Sequence, residues 1–589
     1  MGFAGRRATI LVSSLLCSVL LSPVVATAAV RTAPTTAKKK AAAVHVAPVP
    51  AKKKTVSTGK AAAKKTVAKA PAKKVVKAPA KKVVKAPAKK VVKAPAKKVV
   101  KAPVKKVVKA APKKVVKAPV KKVVRATAVK TTSVPTRASR LALVKTAKSI
   151  NYYPSDAGWS AMWTNFNAAK IEADLTKAKA LGADNVRVIV FPTSFGFPKP
   201  KADYTANLAK FISIADARGM TVRLTLFDWW AGYYDTAGSV AWAKSLLTPY
   251  ANDRRVLSVE VQNEFDATNT QAVAWAKKVI PGLRAAVPTM PLTLSVSGTA
   301  GIAGLSQIRT AFAATPLDYL DFHFYGNSER ALTEIRKAQA AAGSLPIVIG
   351  ETGLSTAGAD SEGDQAAFLA RVFAAARAAK VGSVSPWTLY DFSNGAIPSN
   401  SAVSKIPAQY KFGLYRADGS AKPAVNVVKA YWAGQALSNN VLDLGFEVSN
   451  GNSPWRPYLS ERGSAVRVTG NARTGTGSVS FSDTRRNGTD LPSLRIAPIT
   501  PVQPGAKWHA EAWAKGKNVT GTNQIALSWF DANNKWLGQA QSKQVAAGTT
   551  GWIRLTVDAT APAGAASVQL HLKSGDNKGT VWFDDVVLS

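Results

Sequence analysis

Leu257-Ser-Val-Glu-Val-Gln-Asn-Glu264 is a short aliphatic run that stops at a carboxamide and a carboxylate. Ile347-Val-Ile-Gly-Glu351 has the same form, β-branched residues ending in an acid. Working outward from these two, six further runs read as strands: Ser149–Tyr153, Asn185–Phe191, Thr221–Asp228, Leu292–Ser297, Tyr319–Tyr325 and Val384–Tyr390. Ala-rich stretches of helical period lie between them, among them Ala168–Leu181, Asn207–Arg218, Gln271–Ala286 and Gln365–Ala379. Strands alternating with helices in this number and over this length predict a (β/α)8 TIM barrel, placed at residues 148–436. A doubly wound open sheet is the competing architecture. It calls for a Gly-rich phosphate loop after an early strand, and none is present.

The charge sits elsewhere. The 589-residue chain has a formal charge of +48, yet 39 of its 81 Lys and Arg and none of its 33 Asp and Glu fall in the first 150 residues. Arg6-Arg7, the apolar run Ile10–Val25 and the small residues Ala26-Thr27-Ala28 read as a secretory signal peptide, residues 1–29. From Lys69 to Val124 a Lys-Ala-Pro-Ala-Lys-Lys-Val-Val unit recurs with small variations. Its prolines interrupt helix and its like charges repel, so residues 30–147 are expected to be a disordered basic linker. As a partner for that linker an anionic cell-wall polymer suits an exported chain, whereas the export signal argues against nucleic acid. The single cysteine, Cys17, excludes disulfide frameworks, thiolate metal sites and a Cys nucleophile from the folded body. Nothing else approaches the length of a membrane span.

From about Leu437 the helical period ends and short alternating runs follow: Ala465–Thr469, Ser478–Ser482, Trp508–Ala514, Ile525–Phe530, Trp552–Asp558, Ser567–Leu572 and Val581–Leu588. Gly, Asn, Asp and Pro punctuate them, which predicts an all-β jelly-roll sandwich over residues 437–589.

In a (β/α)8 barrel, polar residues at the C-terminal strand ends face the active site. Read in chain order, those ends supply Arg187, Asp228, Asn263, Glu264, His323, Tyr325, Glu351 and Trp387. Two carboxyls facing each other across a barrel mouth, without metal or thiol, are what glycoside hydrolysis needs: one protonated to donate to the leaving oxygen, one ionised to attack the anomeric carbon. A nearby Arg187 favours the carboxylate form, His323 and Tyr325 are placed to orient a carboxylate, and Trp387 offers a flat apolar face to a sugar ring. Taken singly, each residue also has a structural reading. Arg187 is equally suited to an ion pair, and Trp387 to the core.

This constellation resembles the retaining glycoside hydrolases of clan A, within it family five, which contains cellulases and mannanases. The resemblance covers the whole barrel. It implies Glu264 as acid/base, Asn263 as a ligand of the sugar 2-hydroxyl and Glu351, followed by Gly353, as nucleophile. It also matches Arg187 on the second strand, His323 and Tyr325 on the sixth and Trp387 on the eighth. Tyr415-Arg-Ala-Asp-Gly-Ser-Ala-Lys-Pro-Ala424 resembles the family's closing loop. Two positions depart: Phe265 stands where cellulases commonly have Pro, and Asp228-Trp229-Trp230 where the third strand often ends in His. Gly445-Phe-Glu447 and Val581-Trp-Phe-Asp-Asp-Val586 resemble the carbohydrate-binding modules of the family-four, -nine and -twenty-two group. That resemblance implies a structural Ca2+ held by Glu447 and Asp585. Trp455, Trp536 and Trp552, in polar surroundings, are the candidates for sugar stacking.

The expectation is a secreted, modular, monomeric β-glycosidase, extracellular or wall-associated, with no cofactor for catalysis. Its substrate would be a β-linked polysaccharide, β-1,4-glucan or mannan. The alternative is a non-catalytic carbohydrate- or wall-binding protein that adheres through its basic linker.

Overall fold

The computed structural model describes residues 134–589 apart from 299, 316 and 450. The expected signal peptide and the Lys-Ala-Pro-Val repeats lie outside the described residues. The first half is a parallel α/β domain. Its strands are β1 (Ser149–Asn151), β2 (Asn185–Ile189), β3 (Thr221–Thr225), β4 (Val256–Glu260), β5 (Leu292–Thr293), β6 (Ser295–Val296), β7 (Leu320–Phe324), β8 (Ile347–Thr352) and β9 (Val384–Pro386). They pair in order as β1 to β5 and β6 to β9, every pair parallel.

Only Leu294 separates β5 from β6, and its carbonyl still accepts the amide of Asp321 at 3.3 Å. These two segments therefore act as one strand. At the other seam the Leu389 amide donates to the Asn151 carbonyl at 3.1 Å, and Thr388 Oγ1 donates to the same oxygen at 2.8 Å. The sheet thus closes on itself.

Every residue of β2, β4, β7 and β8 is buried. The apolar alternates, such as Val186 and Val188, face the surrounding helices, while the inward positions carry charge. Arg187 pairs with Glu260 at 2.7 Å and Arg223 with Asp321 at 2.8 Å, all four essentially inaccessible. Helix starts follow local chemistry. The Asn269 side chain accepts from the amides of Gln271 and Ala272 to open Thr270–Ala286, and Ser361 and Asp364 form a capping box that opens Glu362–Ala378.

One boundary differs from expectation. The stretch before residue 148 is not linker throughout: Thr136 and Ser139 form a capping box for the helix Arg137–Val144. Val144 and Ala147 pack with Leu257, Tyr319 and Val348 beneath the barrel. The Arg140 guanidinium donates to the carbonyls of Asp253 at 2.9 Å and Ala251 at 3.3 Å. Unlike the repeats before it, this octet has neither Lys nor Pro, so nothing interrupts the helix that its packing holds.

The second half consists of β10 (Arg456–Tyr458), β11 (Val466–Thr469), β12 (Gly477–Ser482), β13 (Ser493–Ile496), β14 (Lys507–Val519), β15 (Thr522–Phe530), β16 (Trp536–Gln541), β17 (Gly548–Thr560), β18 (Ser567–Gly575) and β19 (Thr580–Leu588). They form two five-stranded antiparallel sheets, β10-β13-β18-β15-β16 and β11-β12-β19-β14-β17. Alternate residues of each, such as Ala510, Ala512 and Ala514 on β14 and Leu570 and Leu572 on β18, fill the core between them.

Candidate active site

The C-terminal ends of β1, β4 and β8 converge on one guanidinium, that of Arg187 from β2. Arg187 Nη1 donates to Glu351 Oε1 at 2.7 Å and to Asn151 Oδ1 at 2.8 Å. Its Nη2 donates to Asn263 Oδ1 at 2.7 Å and its Nε to Glu260 Oε2 at 2.7 Å. Glu351 and Asn263 are two of the residues read from the strand ends, whereas Glu260 and Asn151 were not singled out at all. Glu260 lies mid-run in Leu257–Asn263, where alternation alone assigns it to the barrel interior.

Glu351 has one further donor and a close imidazole. The Tyr325 hydroxyl donates to its Oε2 at 2.9 Å, and His323 Nδ1 lies 3.4 Å from the same oxygen. His323 Nδ1 also contacts Glu264 Oε1 at 3.2 Å. A Glu264 oxygen, a His323 ring nitrogen and a Glu351 oxygen thus all lie within 4.8 Å of one another. Glu264 takes a left-handed φ of 46°, and its amide donates to Ser295 Oγ at 2.7 Å, which fixes where its side chain leaves the strand end.

The Asn263 side chain bridges outward, its Nδ2 donating to Asp228 Oδ1 at 3.0 Å. Trp387 stands edge-on to Tyr153 (6.1 Å between ring centroids) and Trp159 (6.0 Å), forming an aromatic cluster at the end of β9. All eight residues read from the strand ends therefore lie at this end of the barrel: Tyr325, Glu351, Arg187, Asn263 and Asp228 in one hydrogen-bonded set, the pair His323–Glu264 3.4 Å from it at Glu351, and Trp387 beside them. Strand-end reading of Ser149–Tyr153 would have added Tyr153, whose hydroxyl is buried. Trp229, beside Asp228, is the half-exposed aromatic of the mouth.

Burial and charge divide the carboxyls. Glu260 is wholly buried, but Arg187 outweighs the cost of burial and holds it at about 2. Burial pushes Glu351 above the ordinary range; His323 and Arg187 oppose that shift without cancelling it, and Glu264 and Glu260 add to it. Arg187 therefore offsets the burial of Glu351 rather than overriding it, because its charge is shared with Glu260. Burial likewise drives Asp228 up to about 7 against the hydrogen bond from Asn263. For His323 burial disfavours the cation, yet Glu351, Glu264 and Asp321 together push it up to about 9.

The two carboxylates expected to hold Ca2+ have other partners. Glu447 accepts the amides of Thr476 and Gly477 at 3.0 Å and Thr476 Oγ1 at 2.7 Å. Asp585 accepts Arg473 Nη1 at 2.6 Å and the Thr474 hydroxyl. Both acids tie down the turn at residues 473–477 with the chain's own donors, and a guanidinium stands where a cation would bind Asp585. This donor set does not fit Ca2+, which takes several oxygen ligands. Of the tryptophans in this half, Trp455 is buried with its Nε1 donating to the Asp443 carbonyl at 3.0 Å, Trp552 is half-buried and Trp536 is exposed.

Comparison with known proteins agrees with this chemistry. The first half is a glycoside hydrolase. Residues 146–393 match the family described as Cellulase (glycosyl hydrolase family 5), so the chain carries a family 5 domain there. No curated protein matches the chain. Among solved structures, an exo-β-1,4-mannosidase from Opitutaceae bacterium strain TAV5 is 18% identical with a TM-score of 0.41, covering 49% of this chain and 59% of that one. A GH5_18 protein from Streptomyces cattleya in complex with GlcNAc is 18% identical with the same TM-score, covering 49% and 81%. This chain thus spans less than two thirds of the mannosidase's length. Among the described residues, no helix is long and apolar enough to cross a membrane.

Proposed function

We propose that the barrel is a TIM-barrel β-glycosidase that hydrolyses a β-1,4-linked glucan or mannan with retention of configuration. Glu351 is the nucleophile and Glu264 the acid/base. The observation that carries this reading is the approach of Glu264 and Glu351 oxygens to within 4.8 Å of one another. Retention needs carboxyls roughly 5–5.5 Å apart, whereas inversion needs about 6.5–9.5 Å to admit a water.

The two acids differ in a way that assigns their roles. Glu351 is nearly inaccessible, its Oε1 held by Arg187 and its Oε2 by Tyr325 with His323 close by, so that its carboxyl is fixed in one orientation. Glu264 meets His323 alone and is partly open to solvent, as a group exchanging protons with a leaving oxygen and then with water must be. In the first step Glu264 donates its proton to the glycosidic oxygen as Glu351 attacks the anomeric carbon, giving a glycosyl ester. In the second, the Glu264 carboxylate takes a proton from water, whose oxygen displaces Glu351. Asn263, oriented by Arg187 and Asp228, is placed for the 2-hydroxyl, and Trp387 for the apolar face of the ring.

The rest of the proposal concerns delivery. The chain is secreted and acts as a monomer, the sandwich is a jelly roll that binds carbohydrate through Trp536 and Trp552, and the basic segment adheres to anionic wall polymer. The test incubates the purified protein and a Glu351→Ala variant with β-glucan, mannan, xylan and galactan. Reducing ends released by the wild type alone support the reading and identify the sugar. Silence on every polymer with binding intact would make this a non-catalytic carbohydrate binder.

A further inference from the structure

The sandwich is fixed to the barrel at the end where the catalytic strands finish. The segment after Tyr325 is held first. Gln569 Nε2, on β18, donates to Glu329 Oε2 at 2.7 Å, and Arg330 Nη1 donates to the Ala532 carbonyl at 3.2 Å. Gln569 is itself fixed by Arg495 Nη1 at 2.8 Å.

The segment after Glu351 is held second. Arg456 Nη2, on β10, pairs with Asp360 at 2.8 Å and Asp364 at 2.5 Å. Asp364 is the capping-box residue of the helix Glu362–Ala378, so the ion pair acts on the point where the loop from Glu351 becomes helix. On the same helix, Arg371 donates to the carbonyls of Ala497 at 2.7 Å and Pro498 at 3.1 Å. Gly363 has no space for a Cβ, because the Asn452 carbonyl oxygen occupies it. Buried apolar residues of the barrel and the sandwich form one contiguous core.

Tyr325 and Glu351 meet at 2.9 Å. They belong to the two segments that the sandwich grips, one through β18 and the other through β10. We propose that the sandwich is a built-in part of the active centre, with Gln569 and Arg456 as positioning residues that set Tyr325 against Glu351 through residues 326–330 and 353–364. This goes beyond a tethered sugar-binding module, and it rests on reading Glu351 as the nucleophile. A misplaced reacting group lowers turnover more than binding, since about 1 Å of error is worth roughly a hundredfold. Loosening either grip should therefore appear in kcat rather than KM.

The experiment uses the full chain with Gln569→Ala, Arg456→Ala and Arg456→Lys. Substrates are 4-nitrophenyl β-mannoside and β-glucoside, single sugars that bring no polymer to the sandwich. Each alanine variant is expected to lower kcat roughly tenfold with KM within about twofold, and Arg456→Lys to recover part of the loss. Amide hydrogen exchange in residues 326–330 should quicken in Gln569→Ala, and in residues 353–361 in Arg456→Ala. Wild-type kcat and exchange in both alanine variants overturn the proposal. A fall in kcat without faster exchange also overturns it, because the effect would not pass through these segments. If Arg456→Ala does not fold, Gln569→Ala decides, since Gln569 itself carries no charge and its loss leaves Glu329 and Arg495 near the surface of the module. If the wild type cleaves neither glycoside nor any polymer, the nucleophile assignment fails by itself, and unchanged exchange in both variants is then what overturns the docking.

Discussion

Arg187 links Glu260 and Glu351 through different edges of one guanidinium, Nε to the first and Nη1 to the second, each at 2.7 Å. The deeper carboxylate thus fixes the arginine that in turn fixes the shallower one. Arg187 also orients Asn263, so the charge of Glu260 reaches both Glu351, the proposed nucleophile, and Asn263, the proposed substrate ligand, without touching either.

Glu260→Gln should therefore leave the barrel's shape intact and weaken catalysis. Breaking a buried ion pair leaves an uncompensated charge and costs about 3–5 kcal/mol; an amide that still accepts from Nε should cost less, roughly 2 kcal/mol. Glu260 titrates at about 2 when folded. Its pairing thus stabilises the fold above the ordinary carboxylate value, and that contribution is lost as pH falls from there through about 2. The variant should show a lower melting temperature at pH 6 and a smaller further drop between pH 4 and pH 2. Equal melting curves for the two proteins at pH 6 would contradict the clamp.

His323 carries the opposite dependence. Its folded value of about 9 exceeds the ordinary imidazole value, so its stabilisation is complete below about 6.5 and is lost as pH rises through 9. The shift corresponds to about 3 kcal/mol at most. Replacement by Gln should flatten the fall in melting temperature between pH 6.5 and pH 9. A wild type whose stability holds level across that window would remove the imidazolium from the account.

Asp228 is a carboxyl whose burial opposes ionisation, with a folded value of about 7. The folded state binds its proton more tightly than the unfolded state, so stability falls as pH rises from about 4 to 7. Asp228→Asn keeps an acceptor for Asn263 and removes the buried charge. It should raise the melting temperature at pH 8 by a few degrees, about 1–2 kcal/mol, and leave it near wild type at pH 4. Melting scans at the two pH values read the difference directly.

At the far end of the chain, Glu447 and Asp585 are engaged by amides, hydroxyls and Arg473 around residues 473–477. Chelation should leave the melting temperature unchanged within about 1 °C, whereas removing an ion that binds only the folded state would lower it. A drop of several degrees in EDTA, restored by Ca2+, would mean that the ion displaces the arginine.

What was legible in the sequence was whatever strand periodicity and strand ends could carry. Asn263-Glu264 and Glu351 stop their aliphatic runs abruptly, and His323 and Tyr325 alternate with phenylalanines, so each announced its place at the barrel mouth. Glu260, Arg223 and Asp321 did not, because alternation assigns a charge to the barrel interior without saying which residue it meets there. Only closure of the sheet brings Arg223 to Asp321. The helix Arg137–Val144 was hidden by its place beside the basic repeats, and its membership is decided by Val144 beneath β4. The short strands β10, β13 and β16 lack a long alternating run, and pairing with longer neighbours defines them. The donors that engage Glu447 and Asp585 were not legible either, because Arg473 and the amides of Thr476 and Gly477 reach them only once the turn has formed.

The sharpest prediction separates the two steps at Glu264. Glu264→Ala removes the proton donor and the later base but leaves Glu351, Arg187 and Tyr325 in place. With a leaving group that departs as a stable phenolate, the first step needs no proton, so glycosyl ester should still form on Glu351. The second step then lacks its base, and ester should accumulate as a burst followed by slow turnover, down roughly a hundredfold to ten-thousandfold. Azide, an anion that needs no deprotonation, should enter the space left by the missing carboxylate and restore turnover, giving a glycosyl azide of retained configuration. Glu351→Ala should show neither burst nor that product. Inverted azide from Glu264→Ala would mean direct displacement, and the role of Glu351 as nucleophile would then fall.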